Sequence, residues 1–255
     1  MAYFRRLEDE LERLLALTRK SDRWLILISA DPDALGSAMA LKRILARRAA
    51  DVGIAQINEI KRPDNLAMIK YLRIPTKRLT PELAARYDRF ALVDSQPHHN
   101  PEFAPFDFSV VIDHHPLRPD KPVKARYAEI LPEYGATATI LTEYLYNLDI
   151  RPARLLATAL MYGIKADTQS FERPFQDVDL RAFRYLAKFA DQFLLRRIAR
   201  SEFRREWLDS LARAIGRQRL VGRDGHGAFV WMDEVDNPDI LVVLADFLLR
   251  VHGVH

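Results

Sequence analysis

The stretch Val111-Ile112-Asp113-His114-His115-Pro116 joins an apolar run to one acidic residue and two histidines. Extended back to Ser109, the apolar part predicts a strand of a parallel sheet, because strands buried on both faces are almost uniformly apolar. Ligands of open α/β sheets bind beyond the carboxyl ends of the strands, where the acid and both histidines lie. Imidazole and carboxylate groups suit divalent metals. The strand end is therefore a candidate metal site, with a solvated or capping histidine pair as the alternative.

Two further apolar runs end in the same way. Residues 24–29 and 89–93 predict central strands, and acidic residues follow each of them: Asp31 and Asp33 after the first, Asp94 after the second. Predicted helices alternate with the strands, which favours an α/β fold with a doubly wound, mainly parallel sheet flanked by helices. The other predicted elements are strands at 52–57 and 124–130 and helices at 3–17, 34–49, 64–72, 135–147, 152–164 and 179–191.

A further acid, Asp167, follows the predicted apolar helix at 152–164. The alternation of strands and helices brings it to the same rim of the sheet as the acids that follow the strands. Clustered carboxylates raise one another's pKa unless a cation compensates them, so such a group is stable chiefly as a metal site. Two divalent ions about 3.5–4 Å apart would activate water and stabilise a phosphoryl group. An aspartic-protease-like pair of acids is the alternative, but it gives His114 and His115 no role.

The composition excludes several classes of site. The chain has 255 residues, 49% of them hydrophobic, which is enough for one large packed domain, and it has no cysteine. Disulfides, zinc-thiolate sites and cysteine nucleophiles are therefore excluded. The sequence carries no export signal and no apolar window of about 18 residues, so we expect a cytoplasmic protein with no membrane partner. The net charge of +4 permits an anionic substrate without requiring nucleic acid.

Four spaced motifs resemble those of the DHH phosphoesterase superfamily, in the order of that family, over most of residues 20–195. They are Asp31-Pro32-Asp33-Ala34-Leu35-Gly36-Ser37, Val93-Asp94-Ser95-Gln96-Pro97, Asp113-His114-His115 and Gly163-Ile164-Lys165-Ala166-Asp167-Thr168. The segment 135–139 also resembles a helix start of that family. The resemblance implies a manganese-dependent phosphodiesterase or phosphatase that hydrolyses a small nucleotide or a short oligonucleotide by two-metal activation of water.

The resemblance also implies roles for individual side chains. Two manganese ions, with magnesium as the other candidate, would be bridged by Asp94. The catalytic residues would be His115, which would face the substrate phosphate, and Asp113, which would orient a neighbouring histidine. Backbone amides of Gly36 and Ser37, at a helix start, would face the substrate anion. The implied metal ligands are Asp31, Asp33, Asp94, His114 and Asp167.

One position departs from the family pattern and opens a second reading. Most of the family has a histidine four residues before the first motif acid, where this chain has Leu27. Loss of an imidazole ligand would weaken the first metal site. His98 and His99 are either a substitute or a solvated loop pair. The second reading is a degenerate DHH domain that binds a nucleotide or metal for regulation, or docks a partner, without turnover.

The tail of the chain differs from the rest. We predict a DHH domain at 1–195 that carries the metal site, a helical linker at 196–218, and at 219–255 a short α+β segment. This segment, with strands at 220–222 and 228–232, a turn at 224–227 and a helix at 238–251, resembles the start of a truncated or incomplete DHHA1-like substrate-binding domain. The basic run from Arg196 to Arg205, with Phe203 and Trp207, allows a nucleic-acid groove, but helical packing explains it equally well. The sequence is compatible with a homodimer.

Overall fold

The computed structural model describes residues 3–201, 205–222, 226–233, 235, 239–249, 251 and 253–254. The chain divides into two compact units, one of residues 1–60 and 64–199 and the other of residues 61–63 and 200–255. None of the helices in these described ranges has both the length and the apolar composition needed to cross a bilayer. Several predicted positions lie outside the described residues: 202–204 of the basic run, 224–225 of the predicted turn, and 238 and 250 of the last predicted helix.

A single parallel sheet organises the first unit. Its strands are β1 (Arg23–Ile28), β2 (Asp51–Gln56), β3 (Thr76–Arg78), β4 (Arg89–Val93), β5 (Phe108–Asp113) and β6 (Tyr127–Ile130). They lie in the order β3-β2-β1-β4-β5-β6, and every neighbouring pair is parallel. The order changes direction between β1 and β4, which is the point where an open α/β sheet forms a ligand crevice at its carboxyl edge. The predicted parallel α/β fold is confirmed.

Helices and apolar side chains cover both faces of this sheet. The helices are α1 (Glu8–Ala16), α2 (Pro32–Leu45), α3 (Pro63–Leu72), α4 (Pro81–Ala84), α5 (Thr137–Asn147), α6 (Arg154–Asp167), α7 (Asp177–Leu186) and α8 (Gln192–Ala199). Ile26 and Ile28 of β1 belong to a large apolar cluster with residues of α2, α5 and α6. Leu25 and Leu27 belong to a smaller cluster with Phe103. Since side chains alternate across a strand, the two clusters lie on opposite faces.

The helix predicted at 179–191 is wrong at its end. In the structure α7 ends at Leu186, and the new helix α8 begins at Gln192. The Asp191 carboxylate accepts hydrogen bonds from the backbone amides of Phe193 and Leu194, at 2.9 and 3.0 Å. Aspartate favours this capping role over a helix interior, because its side chain satisfies amides that have no intrahelical partner.

Two glycines allow α2 and α6 to approach closely. A Cβ atom on Gly36 would lie 2.9 Å from the carbonyl oxygen of Ala159, and one on Gly163 would lie 3.0 Å from the Cα of Asp33. Both distances are shorter than ordinary van der Waals contact. The absence of a side chain at these positions therefore sets the spacing of the two helices and brings Gly163 against the first turn of α2.

In its described residues, the second unit has two short antiparallel strands and two longer helices. Its elements are α9 (Leu208–Arg217), β7 (Arg219–Val221), β8 (Gly227–Phe229) and α10 (Asp239–Leu248). A small apolar cluster joins Trp207 and Ala214 to Ile240 and Leu244 of α10. The elements agree in type with the predicted α+β segment, and its likeness to a substrate-binding domain stays a prediction.

Candidate metal centre

Four separate segments bring metal-ligand side chains to the carboxyl edge of the sheet. Asp33 lies in the first turn of α2, Asp94 directly follows β4, His114 follows β5, and Asp167 is the last residue of α6. Each offers one ligand atom, and these four atoms all lie within 4.8 Å of one another. The structure thus brings together four of the five side chains that the sequence analysis names as metal ligands.

Asp94 carries a buried carboxylate oxygen without a hydrogen-bond partner. Its φ of 59° is in the left-handed region, which aspartate tolerates better than most residues. Its amide donates to the Ile112 carbonyl oxygen at 2.9 Å, and its Oδ1 accepts the Thr137 hydroxyl at 2.8 Å. Its Oδ2 is buried and has no hydrogen-bond partner. A buried carboxylate oxygen without a donor is destabilising, and a bound cation would satisfy it.

The Asp33 carboxylate is held by the start of α5. Its Oδ2 accepts the Thr137 amide at 2.6 Å, and its Oδ1 accepts the Ala138 amide at 2.8 Å. The positive end of a helix dipole favours a negative charge at this place. Burial and the neighbouring Asp167 nevertheless raise the pKa of Asp33 to about 7. The cluster therefore carries more negative charge than the protein alone stabilises, which fits a site for a divalent cation.

His114 is oriented as a ligand by a backbone carbonyl. Its Nδ1 lies 3.0 Å from the Tyr134 carbonyl oxygen, which can only accept, so Nδ1 carries the proton. Its Nε2 is buried, 3.0 Å from Asp167 Oδ2 and 3.6 Å from Asp94 Oδ1, but meets neither with hydrogen-bond geometry. Burial lowers the pKa of His114, but Asp167 and Asp33 outweigh it and raise it to about 9 in the metal-free protein. Carboxylate and imidazole donors of this kind fit a divalent ion such as Mn²⁺.

Asp113 contacts the second histidine. Its buried carboxylate accepts His115 Nδ1 at 2.8 Å and Gln96 Nε2 at 2.8 Å. The hydrogen bond that His115 donates to Asp113 raises the pKa of His115. Burial opposes ionisation of Asp113, but the hydrogen bonds from His115 and Gln96 outweigh it, so the pKa of Asp113 is lowered. The His115 side chain is 43% exposed, and one of its ring nitrogens lies within 4.8 Å of ligand atoms of Asp94 and His114. Its contact with a substrate stays a prediction.

Asp31 caps a helix, and its carboxylate is influenced by the charge of Asp167 in the cluster. It is the N-cap of α2, where its Oδ1 accepts the Ala34 amide at 2.9 Å. Burial and the charge of Asp167 raise the pKa of Asp31 to about 6, and the hydrogen bond from the Ala34 amide lowers it. Among the described residues, the four-residue cluster does not include Asp31, so its role as a ligand stays a prediction.

The structure also locates Leu27, His98 and His99. His98 is half-buried, and its Nε2 has no hydrogen-bond partner. Leu27 is fully buried in the smaller apolar cluster, so it offers nothing to a metal. His99 is exposed, and its Nδ1 accepts the Gln96 amide at 3.1 Å, while its ring lies 5.4 Å from that of His115. Ligand atoms of His99, Asp113 and His115 lie within 4.8 Å of one another. His99 thus lies beside His115 and is absent from the four-residue cluster.

Gly36 and Ser37 lie in the second turn of α2, and both are buried. The backbone amides without intrahelical partners are those of the first turn, which precede Gly36. Gly36 instead permits the contact with Ala159, and the Ser37 hydroxyl donates to Asp33 Oδ1 at 3.3 Å. Their contact with a substrate stays a prediction.

Beyond the end of α6 the backbone is unusual. Gln169, Ser170 and Phe171 follow one another with φ angles of 46°, 61° and 70°. Three successive residues other than glycine in the left-handed region are costly, at about 1–2 kcal/mol each. The strain sits next to Asp167, and the Thr168 hydroxyl accepts the Phe171 amide at 3.2 Å.

The chain was compared with known families and proteins. Residues 24–164 match the family described as "DHH family, N-terminal domain". The protein MJ1633 of Methanocaldococcus jannaschii is 37% identical over 247 residues, which are 97% of this chain and 49% of that protein. The cyclic-di-AMP phosphodiesterase GdpP of Geobacillus thermodenitrificans is 32% identical over 161 residues, which are 58% of this chain and 23% of that protein. The chain thus spans at most about half the length of these relatives.

The fold has a counterpart among solved structures. An exopolyphosphatase-related protein from Bacteroides fragilis superimposes with a TM-score of 0.75 over 96% of this chain and 76% of that one, at 15% sequence identity. At such low identity the likeness shows the α/β fold and nothing about activity.

Proposed function

Because the chain belongs to the DHH family, we propose that it is a phosphoester hydrolase that works with bound divalent metal ions. The observation that carries the proposal is the convergence of Asp33, Asp94, His114 and Asp167, whose ligand atoms lie within 4.8 Å of one another. Two of these residues also carry a buried atom without a hydrogen-bond partner, Asp94 Oδ2 and His114 Nε2. Such unsatisfied groups are uncommon in folded proteins, and a bound cation would supply the missing partner.

The proposed chemistry assigns a task to each group. When bound, a divalent ion lowers the pKa of a coordinated water and stabilises negative charge on phosphoryl oxygens. The start of α5 holds Asp33 in place through two backbone amides. His115, oriented by Asp113, donates from Nε2 to a phosphate oxygen when its ring is protonated. Asp31 and Asp94 are proposed to hold a second ion beside the first.

The proposed substrate is a small nucleotide or a short oligonucleotide, and the proposed metal is Mn²⁺. The similarity to a cyclic-di-AMP phosphodiesterase over 161 residues supports a phosphodiester of a nucleotide. The imidazole of His114 among oxygen donors supports manganese, since magnesium prefers oxygen ligands alone.

A direct assay tests the proposal. Wild-type protein with Mn²⁺ is expected to hydrolyse bis(p-nitrophenyl) phosphate or a cyclic dinucleotide, and chelation is expected to abolish the reaction. Asp94→Asn keeps the shape of the side chain but removes its charge, so activity is expected to fall at least about a hundredfold, since a metal ligand is lost. Asp107→Asn changes an exposed carboxylate and serves as the control with full activity. Equal activity of the two variants would contradict the proposal.

The second candidate is binding without turnover, and Leu27 favours it. This side chain is fully buried among apolar residues, so the first metal position has one ligand fewer than the family pattern. A regulatory module would bind Mn²⁺ and a nucleotide, and calorimetry would measure both binding events. It would release no hydrolysis product during a long incubation. Release of mononucleotide in the same samples would exclude this candidate.

A further inference from the structure

Thr137 contacts two members of the metal cluster with two different groups. Its hydroxyl donates to Asp94 Oδ1 at 2.8 Å, and its backbone amide donates to Asp33 Oδ2 at 2.6 Å. Thr137 is fully buried and is the first residue of α5. The two contacts cross 43 and 104 positions of the sequence. One residue thus fixes two carboxylates that come from opposite sides of the β1–β4 crevice.

The hydroxyl contact is not explained by the needs of the helix. A threonine that stabilises a helix start stands at the N-cap, where its oxygen accepts a backbone amide. Here the N-cap is Ala136, without a side-chain hydrogen bond, and the hydroxyl of Thr137 points at Asp94. By contrast, the hydroxyls of Thr142 and Thr158 donate to carbonyl oxygens of their own helices, at 2.6 and 2.8 Å.

The contact decides which oxygen of Asp94 remains available. The hydroxyl engages Oδ1, while Oδ2 is left buried and without a partner. The β-branched side chain of threonine has a restricted χ1 angle, so it holds the carboxylate plane in one orientation. Without it, Asp94 would turn within a group of like charges. We propose that the Thr137 hydroxyl is a positioning group that prepares Asp94 for a divalent ion.

This role rests on the proposed metal-dependent function, and variants of one helix test it. Thr137→Val keeps the shape and the backbone amide but removes the hydroxyl, so the Mn²⁺ dissociation constant is expected to rise at least about tenfold, as for other groups that orient a metal ligand. Thr137→Ser is expected to restore most of the affinity. Thr142→Val removes the same chemical group elsewhere on α5 and is expected to leave the affinity unchanged.

The readouts are Mn²⁺ affinity by calorimetry and the melting temperature of the metal-free protein. Loss of affinity in Thr137→Val, with melting like that of Thr142→Val and with rescue by serine, supports the positioning role. Equal Mn²⁺ affinity of wild type and Thr137→Val overturns it while leaving the metal site intact. Absence of Mn²⁺ binding by wild type overturns the proposed function and this role together. If the valine variant does not fold, Thr137→Ala, which also lacks the hydroxyl, is measured with the same criteria.

Discussion

Gly163→Ala links the packing of two helices to the metal cluster. The added Cβ would lie 3.0 Å from the Asp33 Cα and 3.1 Å from Asp33 Oδ1. An unstrained contact of a methyl group needs a few tenths of an ångström more, and the atom in the way is backbone. Either the first turn of α2, which carries Asp33, or α6, which carries Asp167, must therefore shift.

The expected magnitude follows from two opposing effects. Overpacking a tight contact costs about 1–3 kcal/mol, while alanine is better than glycine in a helix by about 1 kcal/mol. The net loss of about 1 kcal/mol lowers the melting temperature of a domain of this size by about 3 °C. Because either shift displaces a member of the cluster, Asp33 or Asp167, Mn²⁺ affinity is expected to fall by about tenfold.

Calorimetric scans and Mn²⁺ titrations of the purified protein measure both effects. The matched control is Gly216→Ala in α9, where an added Cβ would meet nothing within 4 Å. There only the helix preference acts, so the second unit is expected to gain up to about 1 kcal/mol and the Mn²⁺ affinity to stay unchanged. A Gly163→Ala protein that melts higher than wild type and binds Mn²⁺ equally well would refute the reasoning.

Further predictions concern pH, the Asp113 contact and the left-handed segment. Folding raises the pKa of Asp33 and of His114 in the metal-free protein, so the stability of that protein falls as the pH rises from about 4 to 9. The increase in melting temperature that Mn²⁺ gives over chelated protein should therefore grow from pH 5.5 to 8.5. An increase that does not change with pH would contradict this. Gln96→Leu removes a buried donor to Asp113, so the free energy of unfolding measured with urea should fall by about 1.5–3 kcal/mol. Gln96→Glu, which places a second carboxylate beside Asp113, should lower it further. A Gln96→Glu protein as stable as wild type would contradict this contact's importance. Ser170→Gly relieves an exposed residue at a φ of 61° and should raise the melting temperature by up to about 3 °C, whereas a decrease would exclude the strain.

The central strands were predictable because a strand buried on both faces of a sheet has an almost uniformly apolar sequence. The strand predicted at 89–93 has those bounds in the structure, and the one predicted at 24–29 is β1, at Arg23–Ile28. The edge strand Thr76–Arg78 has three polar residues, two of them exposed. Hydrogen bonds to β2 make it a strand, and the sequence carries no apolar pattern to reveal it.

The candidate site was predictable in its residue types and less so in its contacts. Acids after apolar strands indicated Asp94 without any knowledge of its neighbours. The two contacts of Thr137, with Asp33 and with Asp94, could not be predicted from the sequence. Both partners are remote in sequence, and a threonine near a helix start is usually an N-cap. Gln96 belongs to the second motif, yet its contact with Asp113 depends on the arrangement of two loops.

The dispersal of the cluster along the chain has a consequence for biosynthesis. Its first member is Asp33 and its last is Asp167, and Asp33 is held by amides of α5. A growing polypeptide therefore lacks the pocket until α6 has left the ribosome and packed beside α2. On the proposed function, an ion would accordingly be captured only after α6 has been made and packed. A bound ion would tie four segments together and add its binding free energy to the stability of the folded state.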